Sequence, residues 1–372
     1  MDLRRFNDGI FMNMESITHL PASAIFLVAM LVCLALLKIS LIVGRYFDLV
    51  DRPDQRKRHK GEIPLVGGVS IYFTLLVIQF YTPIAPALII GGGLLLLVGV
   101  ADDYMNLSAR IRLVFQAIAA CLLVVGGGFQ ISSLGGVFSN ETLVLTGFGA
   151  LLFTVVCIIG VINAINMIDG ADGLAGGIVA ISLGALIVVA MNQGAGPGVT
   201  NGLVVILGAT LAFLLFNSGV LGHGQKVFLG DSGSMLLGII LASYYIGMSQ
   251  GEDAYMSPVV AGWFFGLPLM DSIAVMVRRI VSGVSPLSAG RDHLHHRLMS
   301  SGLSGGRCVA VMLTLHAALV SIGIVGNYYE FSSPVMFWSF VVMVVGYFFL
   351  SPALISQIRV IGIGHRPKVS NS

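Results

Sequence analysis

The sequence predicts an all-α, polytopic integral membrane protein: about eleven transmembrane helices, N-out and C-in, with a polar active site on the cytoplasmic face. Three observations carry this reading. Of 372 residues, 56% are hydrophobic and only 10% charged, with mean hydropathy +0.93, whereas soluble domains carry about 25% charged residues. Apolar stretches long enough to cross a bilayer, each about 20 residues, recur along the whole chain. Lys and Arg are confined almost entirely to alternate connections between those stretches.

The spans are read at 21–44, 65–82, 84–101, 113–130, 144–165, 174–192, 201–218, 232–249, 257–277, 308–327 and 335–356. Several are rich in glycine, as at Gly91-Gly92-Gly93 and Gly126-Gly127-Gly128, and the chain holds 47 glycines in all. Small residues let helices approach closely where lipid provides no hydrophobic drive between them, so tight packing is the reading. With the N-terminus outside, the segments 45–64, 102–112, 166–173, 219–231, 278–307 and the C-terminal tail face inward and hold 17 of the 20 Lys and Arg. Arg4 and Arg5 are the outward exceptions, and Lys38 lies about two turns inside the first span, within snorkelling reach of the inner surface. The outer acids Glu141, Glu252, Asp253 and Glu330 read as solvated loop residues. Cys33, Cys121, Cys157 and Cys308 all fall in apolar segments with no disulfide or zinc spacing. The polar N-terminal stretch lacks a short apolar core with a small-residue cleavage site, so no signal peptide is expected. Residues 1–372 read as one transmembrane catalytic domain, whose cytoplasmic loops 45–64, 102–112, 166–173, 217–231 and 278–307 form the site.

Acids gather at the ends of these apolar segments: Asp102-Asp103, Asp169 with Asp172, Asp231, and Asp292 within RDHLHH. A bilayer does not solvate carboxylates, so their repeated placement points to a shared wet site. With histidines at the same face, the chemistry indicated is Mg²⁺ and phosphate on a lipid. In the first inner loop, Arg56, Lys57 and Arg58 suit an anchor for anionic head groups, while Lys60, followed by Gly61 and PLVGG, suits a phosphate or base carbonyl. In the second, ADDYMNLSARIR, adjacent acids are stable together only beside a cation or in water. They read as a solvated pair, or as a metal or general-base site with Arg110 or Arg112 meeting phosphate. In the third, NAINMIDGADGLAGG, Asn163 and Asn166 are three apart, as are Asp169 and Asp172, and helical spacing would put each pair on one face. Their hard oxygens suit Mg²⁺, and the lack of a distal Glu excludes an EF-hand calcium loop. In the fourth, FNSGVLGHGQKVFLGDSGS, Asp231 reads as a metal ligand or a helix N-cap, Phe228 as a base-stacking ring or an interfacial anchor, and Asn217 as a cap or a substrate contact. In the fifth, SPLSAGRDHLHHRL, His293, His295 and His296 with Arg291 and Arg297 form a cationic hydrogen-bonding cluster suited to a sugar or phosphate, since the spacing is not that of a zinc site. Asp271 lies inside a span, so it is functional or paired, with Arg278 or Arg279 the expected partner.

These stretches, in order over positions 52–298, resemble the polyprenyl-phosphate N-acetylhexosamine-1-phosphate transferases, and most closely their WecA-like branch. The motifs are RKRHKGEIPLVGG, ADDYMNLSARIRL, NAINMIDGADGL, FNSGVLGHGQKVFLGDSGS, PLMDS and SPLSAGRDHLHHRL. The resemblance implies transfer of GlcNAc-1-phosphate from UDP-GlcNAc to undecaprenyl phosphate with release of UMP. It further implies dependence on Mg²⁺ with Mn²⁺ as a substitute, a bacterial inner membrane location, and a homodimer. By the same resemblance, Asp102 and Asp103 are catalytic acids near the lipid phosphate, and Asn166 and Asp231 hold the metal. Asp172 and Phe228 contact uracil, with Lys60 near them. Arg112 meets phosphate, His293, His295 and His296 lie on the sugar-phosphate side, and Asp169, Asn217 and Arg291 complete the substrate contacts. Relatives often carry an acid where this chain has Asn106, so Asn106 is given no metal role. Direct attack by the lipid phosphate, with Asp102 as base or positioner, and a covalent phosphosugar on an aspartate both remain open. So do other UDP-N-acetylhexosamines and the glycan served, O antigen or a related envelope polymer. The alternative of another class is a secondary transporter, which would place its carboxylates near the bilayer midplane. A CDP-alcohol phosphotransferase is excluded by the residues that follow Asp169-Gly170.

Overall fold

The computed structural model describes residues 20–53, 61–285 and 290–360, with side chains described up to Ser351 apart from that of His223. Its helices are α1 (Ala22–Tyr46), α2 (Gly67–Ile78), α3 (Pro86–Met105), α4 (Ala109–Cys121), α5 (Gly147–Ile168), α6 (Leu174–Asn192), α7 (Pro197–Asn217), α8 (Gly230–Ser249), α9 (Pro258–Phe264), α10 (Gly266–Val281), α11 (Leu294–Ser300), α12 (Gly305–Tyr328) and α13 (Ser333–Val360). A π-helical turn, Leu122–Gly126, extends α4. Among the described residues, nine helical segments are long and apolar enough to cross a membrane. The pair α9 and α10, bent by 83° at Phe265, supplies a tenth if it forms one span. The protein is therefore a multi-pass membrane protein.

The eleventh expected span, 65–82, is the difference. Only 12 of its residues are helical, those of α2, and at 1.5 Å rise per residue they cover about 18 Å against the ~30 Å of a hydrocarbon core. α2 instead packs against α1, α7 and α8 inside the bundle. The break between α9 and α10 leaves the Phe264 carbonyl without its helical donor. Ser182 Oγ and Tyr245 OH donate to it across 2.9 and 3.1 Å, which satisfies a polar group that lipid could not.

The core sits on α8, whose membrane window is 94% buried, while that of α13 is 11% buried and faces outward. α3, α5 and α2 surround α8, and their closeness depends on glycine. A Cβ on Gly99 would overlap the Ser232 backbone, and one on Gly68 would overlap Gly233. The first contact presses the C-terminal end of α3 against the N-terminal end of α8, the two ends that carry Asp102-Asp103 and Asp231, and the second seats the start of α2 on the same end of α8.

The connections at this end are tied to one another. β1 (Val50–Asp51) and β2 (Ile63–Pro64) pair antiparallel, with Val50 opposite Pro64 and Asp51 opposite Ile63. Phe228 N donates to Pro64 O, while Gly67 N and Gly68 N donate to the carbonyls of Phe228 and Leu229. Tyr104 OH donates to Phe47 O at 2.7 Å, and Arg45 Nη2 to Gly224 O at 2.8 Å. The loops at 45–53 and 219–229 are thus held to the ends of α1, α2 and α3.

Candidate active site

Asp103 and Asp231 meet where α3 ends and α8 begins. Asp103 Oδ1 accepts from Asp231 N at 2.9 Å, and its Oδ2 accepts from Ser232 N at 3.5 Å. An acid on one helix therefore caps the N-terminus of another, where unpaired N–H groups and the helix dipole favour negative charge. Asp231 is not itself the N-cap: it lies in the first turn of α8, leaving its carboxylate directed to its neighbours. Asn166, three residues before the C-terminal cap of α5, donates from Nδ2 to Asp231 Oδ1 at 2.5 Å and to Ser234 Oγ at 2.8 Å. Arg112 Nη1 lies 3.9 Å from Asp231 Oδ2.

Asp102 behaves differently from its neighbour. It is buried, and both oxygens are engaged: Oδ1 accepts from Leu107 N at 2.6 Å and Oδ2 from Arg112 Nη1 at 2.8 Å. It thereby fixes Arg112 beside Asp231. Asn106 closes α3 in the left-handed region, φ 51°, with its N–H donating to Asp102 O. Asn tolerates that conformation at a helix end, which accounts for an amide at this position.

Asp169 and Asp172 are not on a helical face, contrary to the spacing argument. α5 stops at Ile168, and the chain turns through Gly170 and Gly173, the latter at φ +81° before α6 begins. Withdrawal of the Asp169 carboxyl from water, then the charges of Asp231, Asp103 and Asp172, push it up to about 8. Because Asp169 remains solvent-accessible, water weakens the first of these causes more than the mutual repulsion of the acids. Asp172 Oδ2 pairs with Lys226 Nζ at 2.5 Å, and that ammonium lies 5.2 Å from the centre of the Phe228 ring. Asn217 is buried and spans two loops: its Oδ1 accepts from Gly173 N at 2.5 Å and its Nδ2 donates to Val227 O at 3.0 Å. It ties the loop that carries Asp172 to the loop that carries Lys226 and Phe228.

The histidine segment reaches this cluster from α11. His295 is buried, and a Cβ on Gly170 would collide with its Nε2, so the imidazole fills the place beside Gly170 that only glycine leaves open. His293 stacks on His295 with centroids 6.2 Å apart and planes 13° apart, while His296 lies 4.0 Å from His295. Burial first, then the neighbouring His296, pushes His295 down to about 3, and burial also lowers His296. Both rings are therefore neutral at pH 7.

Asp271 does not pair with Arg278 or Arg279. Its carboxylate receives His293 Nδ1 at 2.8 Å, Leu294 N at 3.1 Å and Tyr347 OH at 2.8 Å. Arg279 pairs with Asp292 instead, its Nη2 at 3.1 Å. Arg291 is exposed beside this segment, where its charge opposes protonation of His296. Lys60 lies outside the described residues.

The structure thus joins Asp102, Asp103, Arg112, Asn166 and Asp231 in one network. A second group holds Asp172, Lys226 and the Phe228 ring, on loops tied together by Asn217, and the histidine segment lies against the Asp169-Gly170 turn. Sequence reasoning missed Lys226, Ser234, Gln116 and Tyr347. Lys226 is the only cation in the 219–231 connection, a signal that could have drawn attention to it. Gln116, which exchanges hydrogen bonds with Asn163, and Tyr347 lie within apolar helices and carry no local signal.

The chain is similar to known proteins over most of its length. The family profile described as Glycosyl transferase family 4 matches residues 85–249, from the start of α3 to the end of α8. An undecaprenyl-phosphate alpha-N-acetylglucosaminyl 1-phosphate transferase of Escherichia coli K12 is 38% identical over 313 residues, 83% of this chain and 84% of that protein. The protein of the same name from Haemophilus influenzae is 33% identical over 316 residues, 82% of this chain and 88% of its own length. With such identity sustained over most of its length, the chain belongs to glycosyl transferase family 4.

Proposed function

We propose that the protein transfers GlcNAc-1-phosphate from UDP-GlcNAc to undecaprenyl phosphate at the cytoplasmic face of a bacterial inner membrane, releasing UMP and starting an envelope polysaccharide. The observation that carries this is the convergence of Asp103, Asp231, Asn166 and Arg112 at one end of an apolar bundle. Carboxylates and an amide there can hold a cation, and a guanidinium can meet phosphate. The names of the relatives and the inward bias of Lys and Arg support the substrates and the sidedness.

The donor set fits Mg²⁺. Asp231 supplies hard oxygens, Asn166 would add its own by turning over the amide whose Nδ2 now donates to Asp231, and the repulsion that adds to loss of water in raising Asp169 is the kind of excess charge a cation relieves. Among the described residues, no three His, Cys, Asp or Glu side chains form a closed metal cage. That suits an ion held by one or two protein groups, with substrate phosphate and water completing the shell. Bound there, Mg²⁺ supplies charge neutralisation for the diphosphate and for the departing UMP.

An oxygen of the lipid phosphate attacks the sugar-linked phosphorus of the donor, and the bond from that phosphorus to the oxygen retained by UMP breaks. Arg112, fixed by Asp102, draws the phosphate charge towards Asp231. Asp102, with both oxygens occupied, positions Arg112, which favours direct attack over a covalent aspartyl intermediate. Asp172 and Lys226 offer an acceptor and a donor to the polar edge of a uracil stacked on Phe228. The transporter alternative finds no support, since these acids gather at one end of the bundle.

The test is UMP release by the purified protein with undecaprenyl phosphate, Mg²⁺ and UDP-GlcNAc competing against other UDP-N-acetylhexosamines. UDP-GlcNAc is expected to dominate, with no UMP in single turnover without lipid. Dominance of another donor would replace the sugar assignment, and a lipid-independent UMP burst would replace direct attack.

A further inference from the structure

Asp271 is a carboxylate deep in the protein, 2% exposed, on a helix that contributes no other group to the acid network. Three donors from three parts of the chain converge on it: the His293 imidazole and Leu294 N–H at the start of α11, and the Tyr347 hydroxyl from α13. The neighbouring cations do not supply this role. Arg279 is drawn to Asp292, and Arg278 lies over the Phe348 ring, 5.9 Å from its centre. Three donors arranged around one buried acid specify a geometry.

We infer that Asp271, braced by Tyr347, is a positioning residue: it fixes the ring orientation and tautomer of His293, and through the His293–His295 stack holds the histidine segment against the Asp169-Gly170 turn. Because a carboxylate only accepts, His293 Nδ1 must carry the proton in that contact, so Nε2 is the edge left to face a ligand. A ring that pivoted freely would present either nitrogen. Leu294 N, held by the other oxygen of Asp271, sets the first turn of α11 and hence the direction of His295 and His296. His295 then seats beside Gly170, where any larger residue would displace it. The chain of contact runs from the outward-facing α13 through α10 to the mouth of the acid cluster. The ligand this serves is the phosphate-linked N-acetylhexosamine of the donor, and the inference rests on the histidine segment being its contact, as proposed above.

The experiment is a double-mutant cycle on the full-length protein in detergent, with kcat and KM read for donor and acceptor separately. Asp271→Asn keeps the shape but places an N–H against His293 Nδ1, which forces the opposite tautomer. We expect the donor's kcat/KM to fall by between tenfold and a hundredfold, about the worth of one charge-assisted hydrogen bond. The acceptor KM should stay within about twofold, the spread of an uncoupled site. In a His293→Ala background the same substitution should cost less than about threefold, because the residue it positions is gone. Tyr347→Phe, which removes one donor and no volume of consequence, should give a smaller donor effect of the same kind. This second variant answers the question if Asp271→Asn fails to fold.

Equal losses with and without His293 would overturn the positioning role, as would losses shared equally by both substrates. Full activity of His293→Ala alone would instead overturn the assignment of the histidine segment to the donor, and the inference with it. The two failures are therefore distinguishable.

Discussion

The acid cluster and the histidine segment lie side by side yet treat charge in opposite ways. Around Asp103, Asp231 and Asp169, like charges are crowded together; loss of water first, then that repulsion, raises Asp169 above the usual carboxylate range. Around Asp271 the charge is met, one carboxylate by three donors, while the neutral His295 beside it is buried with neither ring nitrogen hydrogen-bonded. The first region leaves like charges crowded and fits a cation and a phosphate; the second settles its charge at Asp271 and leaves the His295 ring nitrogens unmet. A buried acid held by three donors is suited to positioning, and crowded acids are suited to a charged ligand.

The comparison breaks most sharply at Asp103. Asp103→Ala removes the acceptor for two N–H groups of α8 and releases Asp231 from its place. Turnover should fall on the order of a thousandfold, the scale of lost transition-state electrostatics. Initial rates of UMP release, read on protein whose melting curve is intact, check this; a loss below tenfold would mean that Asp103 is only a helix cap.

Asp102→Ala should act on stability as much as on rate. Deleting one partner of a buried ion pair costs about 3–5 kcal/mol, although the partial exposure of Arg112, 29%, moves the expectation to the low end. A melting temperature unchanged from the parent would contradict the account of Asp102 as the anchor of Arg112.

Phe228→Ala separates the nucleotide end from the lipid end. Base stacking on an aromatic ring is worth about 1–3 kcal/mol, so the donor KM should rise by about tenfold while the acceptor KM holds. Equal losses for both substrates would count against stacking.

The smallest effect is a pH dependence of metal binding. A proton and a cation compete for the crowded acids. With Asp169 raised to about 8, Mg²⁺ affinity should rise with pH and level off above about 8, by less than the tenfold per pH unit of one fully coupled proton. The stability sign is fixed by the same shift. An acid raised above its unfolded value of about 3.9 binds more protons when folded, so its contribution is present at low pH and is lost as pH rises from about 4 to 8. Added Mg²⁺ should blunt that loss. Calorimetric titration at pH 6.5 and 8.5 reads the affinity, and an affinity that does not change would contradict the picture of competing charge.

How much of this was legible in the sequence differs between the same two regions. The acids announced themselves because carboxylates recur at the ends of apolar segments, although each alone could be a solvated end or a cap, and Asp103, Asp231 and Asn166 do meet. Hydropathy located every span, but it counts apolar residues without asking whether they are helical, so the short α2 looked like a full crossing. Asp169 and Asp172 kept helical spacing, but Gly170 between them and Gly173 after them broke the helix. Asp271 was read from its own helix, where Arg278 and Arg279 both lie about two turns away. Its partners come from His293 and Tyr347, 22 and 76 residues further on, and no local pattern encodes such a contact. Lys226 was passed over because its worth lies in Asp172, 54 residues away in sequence and brought to it by the fold.

The most direct measurement compares Mg²⁺-dependent UMP release from UDP-GlcNAc and undecaprenyl phosphate by the parent protein and by Asp231→Asn, at equal melting temperature. The amide keeps the shape and the reach to Asn166 but removes the charge that would hold the cation. The account predicts steady release by the parent and none above background by the variant at any Mg²⁺ concentration. Comparable release by the two, or none by the parent, would contradict it.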